Sequence, residues 1–576
     1  MAESVFPPVP GQLTSLSNDI AAVAADDAPL PVLGFSAYND FFVTGNRMRF
    51  EKRYFRRRAR LNALAAQALL DPDADVSRLA DVLWAVCDEH TWALPAHIHS
   101  PGRLSAEPPG VQSGDREGWG AEQTLDLFAA ETAHALAEIV TGLGPRLDPL
   151  VSQRVRAEVD RRVLTPLADP RPLAWEGFGN NWESVCAGAA GMAAMLLLPP
   201  SDRLSSMLAR CGKAMDRFLA GYGDDGGCPE GVDYWVYGFG YFVYYAVMLH
   251  EQTGVDLLDD PKVAQIAAFP HKAALGGGAY APFSDASERP WLPAGLLSRL
   301  AERFGTPPPA VIPSFHDDHC YRWAHLARTL AWYRPASAVS TVADSDFLPD
   351  LAWVVDRGPD AVFAAKGGHN DEPHNHLDLG AFLLHVRGRT VLADLGAGEY
   401  TRSYFSDTRY DHLHPSARAH SIPVVDDELQ LPGAARLATV VRHEVLPDGV
   451  AFDLDLTAAY EVDGLRRLIR RFRWWRTGRL ELTDVVTADR PLPITEVFVS
   501  RYAPVVADAA VRWDDTVTLD VDRPVAVDAV EATDHHGRPD VAYRVLVPVT
   551  APAGESAHTF TFSVRLRADR PLRRIA

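Results

Sequence analysis

"RPASAVSTVADSD" (Arg334–Asp346) is where the chain changes period. Upstream of it, apolar residues recur at i, i+3, i+4 and i+7, the spacing of one helix face. "VSRLADVLWAVCDEH" (Val76–His90) places Leu79, Val82, Leu83 and Val86 on such a face. "LDLFAAETAHALAEIVTGLG" (Leu125–Gly144) and "SDRLSSMLARCGKAMDRFLAGYG" (Ser201–Gly223) repeat the pattern and contain or close on glycine, a helix stop. "WVYGFGYFVYYAVMLHEQTG" (Trp235–Gly254) and "WLPAGLLSRLAERFG" (Trp291–Gly305) extend the series. Downstream the pattern becomes alternation, in "LAWVVDRG" (Leu351–Gly358), "AFLLHVRGRTVLADLG" (Ala381–Gly396), "LRRLIRRFRWWRTGRLELTDVV" (Leu465–Val486) and "HTFTFSVRLRA" (His558–Ala568). Turn signals separate these runs, which predicts a sandwich of antiparallel strands. The expected organisation is multidomain α+β: an N-terminal extension over 1–40, a helical domain over 41–340 and a β-domain over 346–576. No strict internal sequence repeat is visible.

Bulk properties narrow the function. At 576 residues the chain is too long for one ordinary core. Its 47% hydrophobic and 23% charged residues are those of a globular protein. The longest apolar run, "AGAAGMAAMLLLPP" (Ala187–Pro200), falls short of the roughly 20 residues that span a bilayer and predicts a buried helix. A formal net charge of −20 argues against nucleic acid or an anionic membrane as partner. An acidic substrate would need a local pocket of arginines. Five scattered cysteines without CxxC spacing predict free thiols. "MAESVFPPVPGQL" shows no basic start or apolar core, so the cytoplasm is expected, or export if a leader precedes this start.

Three clusters carry candidate chemistry. "GGHNDEPHNHLDLGAF" (Gly367–Phe382) holds His369, His374 and His376 between two strand-like runs. Asp394 follows in "RTVLADLGAGEY" and His420 in "SARAHSIPVVDD". His376, Asp394 and His420 on neighbouring strands would supply a tetrahedral zinc set, though solvated loop histidines fit the spacing equally well. In "WEGFGNNWESVCAGAAGMAAM" (Trp175–Met195), Asn180 and Asn181 precede a helix of small residues. One Asn reads as an N-cap; two beside Trp175, Phe178 and Trp182 resemble the lip of a sugar site. "GYGDDGGCPEGVDYWVYGFGYFVYY" (Gly221–Tyr245) spaces Tyr234, Tyr237, Tyr241 and Tyr244 helically after Glu230. That stripe reads as core packing with hydroxyls at the rim of an open cleft. "PAHIHSPGRL" (Pro95–Leu104) adds His97, His99 and Arg103 as a further cleft loop.

In this order, "NNW", "PEGVDYWVYG", "HNDEPHNHLDLGAF", "VLADLGAGEY" and "AHSIPVVDD" resemble the heparinase II/III family of polysaccharide lyases. The resemblance implies an incomplete (α/α) toroid followed by an antiparallel β-sandwich, with the site between them. It also implies β-elimination on a uronic-acid-containing glycan, such as heparan sulfate or alginate. Such chemistry must neutralise the uronate carboxylate, remove the C5 proton and protonate the leaving oxygen. Asn181, with Asn180 beside it, is the expected carboxylate clamp. His374 matches the catalytic first histidine of the family's H-x-H pair. Tyr237, directly before glycine, is expected as the catalytic tyrosine ahead of Tyr234. Trp182, Glu230, His97, His99, Arg103, Tyr404 and Tyr410 are candidate substrate contacts. His376, Asp394 and His420 match the family's zinc ligands, and the metal is expected to be structural. Several members carry Asn-His where this chain has Asn181–Trp182, which leaves the range of uronates open. A zinc-dependent hydrolase and a non-catalytic glycan-binding protein are the rival readings, and homodimer formation is left open.

Overall fold

The computed structural model describes residues 10–98, 120–335, 342–507 and 509–567. His99, Arg103 and residues 336–341 of the Arg334–Asp346 boundary lie outside them. Helices run from Thr14–Ala25 to Trp323–Trp332, and Ser345–Leu348 begins a series of antiparallel strands that ends at Gly554–Val564. The helical spacing is realised as helices at Ser77–Cys87, Leu127–Leu143, Asp202–Ala220, Val232–Thr253 and Ala294–Phe304. Leu79, Val82, Leu83 and Val86 are all buried. Thr14–Ala25 packs into the same core through Leu16 and Ile20.

Local chemistry fixes the helix ends that matter for the site. Asp126 caps Leu127–Leu143 by accepting the Ala129 N–H at 2.7 Å, satisfying an otherwise orphaned donor. Asn180 caps Asn181–Leu197 in the same way, accepting from Trp182 N at 3.1 Å. That helix is buried nearly all round, as its run of Ala, Gly and Met dictates. It lies against Val232–Thr253, and Gly238 is what permits the approach. A Cβ there would stand 2.9 Å from the Phe218 ring and 3.1 Å from Asn181 Cα. The Ser184 hydroxyl donates to the Gly238 carbonyl across this contact.

The β half holds a nine-stranded sheet, a four-stranded sheet and a five-stranded sheet, all with antiparallel pairing. Alternate residues of these strands, among them Phe452, Phe472, Trp474, Leu482, Phe498 and Phe562, form one core between the layers. The five-stranded sheet turns its other face to the helices. Trp353 packs edge-on to Phe283, 4.9 Å between ring centres, and belongs to the helical core rather than to the sandwich. The two halves are therefore joined by apolar packing. No helix among the described residues is long and apolar enough to cross a membrane.

Candidate active site between the helices and the sandwich

A cleft of about 2000 Å³ opens between the two halves. Asn180, Asn181, Trp182, Tyr234, Tyr237, His97 and His374 all line it, so the three sequence clusters and the Pro95–His97 turn meet in one place. Seven Lys or Arg side chains and six carboxylates are among its lining residues, in a chain of net charge −20. The cleft is thus locally cationic relative to the rest of the protein.

The stretch Gly367–Phe382 is mostly not a strand. Gly368–Asn370 pairs with Gly433–Leu446, and the chain then turns. His374 sits at φ 57°, in the left-handed region, so His374 and His376 are not held on one face as strand neighbours would be. His369 stands apart, half exposed in the short strand.

Asp285 organises both imidazoles, and no sequence pattern singled it out. It follows Ser284, another residue at positive φ (66°), in a buried loop of the helical half. Its Oδ2 lies 2.9 Å from His374 Nδ1 and 3.0 Å from an Arg409 nitrogen. Its Oδ1 lies 2.9 Å from His376 Nε2 and accepts the Tyr404 hydroxyl at 2.6 Å. Burial opposes its ionisation, but Arg409 and the two histidines outweigh it and hold the carboxyl well below the usual range. An ionised Asp285 accepts only, so both histidines donate to it. That fixes the tautomers: His374 keeps its Nε2 lone pair and His376 its Nδ1 lone pair.

Around His374 the structure brings Tyr234 rather than Tyr237. The rings of Tyr234 and His374 lie 4.3 Å apart, and the Tyr234 hydroxyl is 3.2 Å from His374 Nδ1. The same hydroxyl shares a 2.6 Å hydrogen bond with Tyr400. Burial and the negative charge of Asp285 raise the Tyr234 phenol well above its ordinary range, so it remains protonated at neutral pH. Tyr237 lies three residues further along the helix, beneath the Arg322 guanidinium at 4.2 Å and beside Glu131. Glu230 is buried behind His374, its Oε1 3.8 Å from Nε2, and burial pushes its carboxyl up to about 7.

The remaining candidates separate into wall and support. Trp182 presents its ring to the cleft, edge-on to His97 at 4.9 Å. His97 Nδ1 lies 2.7 Å from the buried Asp126 carboxylate, and its Nε2 is 3.5 Å from Arg47. Asn181 is buried at the cleft wall with its Oδ1 unpaired. Tyr404 and Tyr410, expected as substrate contacts, stand behind the wall. Tyr404 is fully buried against Asp285, and Tyr410 donates to Asn375 Oδ1 at 3.0 Å. Their hydroxyls are used in holding the His374 turn and its aspartate.

His376, Asp394 and His420 do converge, and Asp378 joins them, their ligand atoms all within 4.8 Å of one another. Asp378 lies inside the Gly367–Phe382 histidine stretch but carried no separate signal. The donor set fits a zinc ion on two counts. First, His376 Nδ1 and Asp378 Oδ2 are buried polar atoms without a hydrogen-bond partner. Second, His420 Nε2 meets the His414 carbonyl at 3.0 Å, so its Nδ1, 3.0 Å from Asp394 Oδ2, must hold either a proton or a cation. All four ligands are buried, and none lines the cleft. Lys366, 2.8 Å from Asp378, supplies part of the balancing charge.

No family model matches the sequence, and no curated protein matches it. Solved structures do match by fold. A heparinase III structure superposes over 97% of this chain and 92% of its own, with TM-score 0.63 and 12% identity. A heparan sulfate lyase HepC mutant from Pedobacter heparinus covers 99% and 85%, with TM-score 0.56 and 12% identity. The chondroitin AC lyase of Streptomyces coelicolor covers 96% and 82%, with TM-score 0.50 and 10% identity. The chain therefore has the fold of these lyases along nearly its whole length, a helical toroid followed by an antiparallel β-sandwich.

Proposed function

We propose that the protein is a lyase that cleaves a uronic-acid-containing polysaccharide or oligosaccharide by β-elimination. The observation that carries this reading is the cleft arrangement of His374, with Nε2 bare, beside a protonated Tyr234, in a cleft that Asn180 and Asn181 also line. In the reaction, the amide of Asn181 and the cleft arginines hold the uronate carboxylate and spread the charge that develops when C5 loses its proton. His374 Nε2 accepts that proton, and the ionised Asp285 stabilises the imidazolium that results. The electron pair left at C5 forms the C4–C5 double bond as the C4–O bond breaks. Tyr234 donates its proton to the departing oxygen, and its bond to Tyr400 keeps the hydroxyl oriented. Trp182 offers an apolar face for a neighbouring sugar ring.

A zinc held by His376, Asp378, Asp394 and His420 would supply charge neutralisation and cross-link three loops of the β half. The burial of these ligands supports that structural role over a hydrolytic one. The fold matches structures titled for heparan sulfate and for chondroitin, and the cationic cleft supports an acidic glycan here. Incubating the protein with a panel of glycuronans and following ultraviolet-absorbing unsaturated product tests the reading. Product without ultraviolet absorbance would favour the zinc hydrolase instead. Glycan binding without any cleavage would favour the binding protein.

A further inference from the structure

Six arginines line the cleft, and most of them are already engaged by the protein itself. Arg409 is held by the Asp285 carboxylate at 3.0 Å and the Asn375 carbonyl at 3.1 Å. Arg322 is held by Asp318 at 2.8 Å and faces Glu131 at 3.3 Å. Arg289 donates to the Gly277 and Gly388 carbonyls at 2.9 and 3.3 Å. Arg56 is exposed at the rim, and Arg402 lies over Phe41 and against Gly45. Arg47 differs from all of these. Its side chain is only 14% exposed, and a carboxylate takes up only its Nε, with Glu51 Oε1 at 2.7 Å. Its Nη2 lies 3.5 Å from His97 Nε2, and its Nη1 has no hydrogen-bond partner among the described residues.

Both halves of the molecule build its mount. Arg47 is the residue before the Met48–Leu70 helix, and Glu51 sits in the first turn of that helix. His97 is fixed from behind: Asp126 Oδ2 accepts its Nδ1–H at 2.7 Å, and the same carboxylate takes the Leu94 and Ala129 N–H groups. Just upstream, Asn46 bridges Thr401 of the sandwich, and the Arg402 N–H donates to the Gly45 carbonyl at 3.3 Å. Gly45, at φ 79°, permits that crossing, because a Cβ there would stand 3.1 Å from Arg402 Cβ. The guanidinium comes to rest 6.0 Å from the centre of the Phe405 ring, which lies 4.7 Å from Tyr400 and 5.8 Å from His374. On its other side His97 packs against Trp182, the neighbour of Asn181. Arg47 therefore stands between the Asn181 wall and the group formed by Tyr234, Tyr400 and His374. Burial opposes its charge, but Glu51 outweighs burial, with smaller contributions from Tyr400 and Tyr234.

We propose that Arg47 is the cation that holds the uronate carboxylate, its Nη1–Nη2 edge meeting the two oxygens while Glu51 and the Asp126–His97 pair fix the plane of the fork. A guanidinium clamped through Nε presents its two Nη groups as a planar pair, which matches a carboxylate bidentately. A cation in that place stabilises the charge that spreads onto the carboxylate as C5 loses its proton, and it does so more strongly than the neutral Asn181 amide can alone. The proposal rests on the lyase reading for its chemistry but not for the binding itself.

Its test is affinity, read by calorimetry, for alginate and heparan sulfate tetrasaccharides and for the same tetrasaccharides with their carboxyl groups reduced to alcohols. Tyr234→Phe serves as the reference protein, so that turnover does not consume the probe, and is compared with Tyr234→Phe/Arg47→Met. The expected result is about 10- to 100-fold tighter binding of a uronate probe by the reference, with the reduced form bound equally weakly by both. Arg47→Lys in the same background keeps the charge but not the fork and should fall between them. Equal affinities of the proteins for every uronate probe, or no preference for a carboxylate over its reduced form, would overturn the proposal. Should the methionine variant fail to fold, Arg47→Lys gives the same comparison, and affinity equal to the reference again counts against it. Binding that depends on Arg47 without any unsaturated product keeps this proposal and removes the lyase reading. Unsaturated product with binding indifferent to Arg47 does the reverse.

Discussion

Replacing Asp285 by Asn is the sharpest perturbation of the proposed chemistry. The carboxylate accepts four hydrogen bonds, two on each oxygen. An amide has one accepting oxygen, and its NH₂ faces donors wherever it points. If the NH₂ takes the Oδ2 position, it meets His374 Nδ1 and forces the imidazole proton onto Nε2, so the base is lost. If it takes the Oδ1 position, it meets His376 Nε2 and spoils the tautomer that a metal requires. Wrong-tautomer penalties of this kind reach about 10⁴-fold in turnover, or ~5 kcal/mol. Arg409, whose side chain is only 12% exposed, also loses its charge partner, which costs roughly 3–5 kcal/mol of stability. The assay is the initial rate of ultraviolet-absorbing product on a glycuronan that the protein cleaves, with a urea melt in parallel. Tyr404→Phe removes one of the four donors and should cost less than about tenfold. An Asp285→Asn protein within tenfold of full activity and unchanged in stability would refute the tautomer argument.

Other outcomes follow from the same geometry. Tyr234→Phe should lower turnover at least about 100-fold and Tyr237→Phe less than tenfold, and the reverse order in steady-state rates would return the acid role to Tyr237. Glu230, its pKa raised to about 7 against an ordinary value of 4.5, holds its proton in the folded state while the unfolded state loses it. Stability should therefore fall as pH rises between these values, with a cost of roughly 3 kcal/mol fully present above 7 and absent below 4.5. Glu230→Gln should remove that slope in urea melts run from pH 5 to 8. Chelation and His376→Ala should each lower the melting midpoint, and combining them should add nothing, because both empty one buried cluster.

How much of this was legible in the sequence depended on how local each signal was. Period-3.6 and period-2 patterns are local, and they placed Ser77–Cys87 and Leu465–Trp475 correctly because each buries one face against a single core. The pairing of His374 with a proton and His376 with a metal was suggested by family resemblance, and the structure gives the two rings different environments through one shared aspartate. Asp285 was invisible because its role depends on a loop about 90 residues upstream folding onto the histidine turn. Tyr234 and Tyr237 differ by less than one helical turn, so spacing alone could not say which hydroxyl meets His374. Tyr404 and Tyr410 were expected as substrate contacts. Whether a tyrosine faces substrate or its own scaffold is decided by long-range packing, as with Asp285.

The central claim is elimination driven by His374 and Tyr234, and one measurement reaches it directly. A glycuronan panel incubated with the unsubstituted protein, His374→Ala and Tyr234→Phe, read by ultraviolet absorbance and by mass, distinguishes the outcomes. The account predicts unsaturated product, lighter by one water than a hydrolysis product, from the unsubstituted protein and at least about 100-fold less from either variant. Saturated product, or unsaturated product made equally well by both variants, would contradict it.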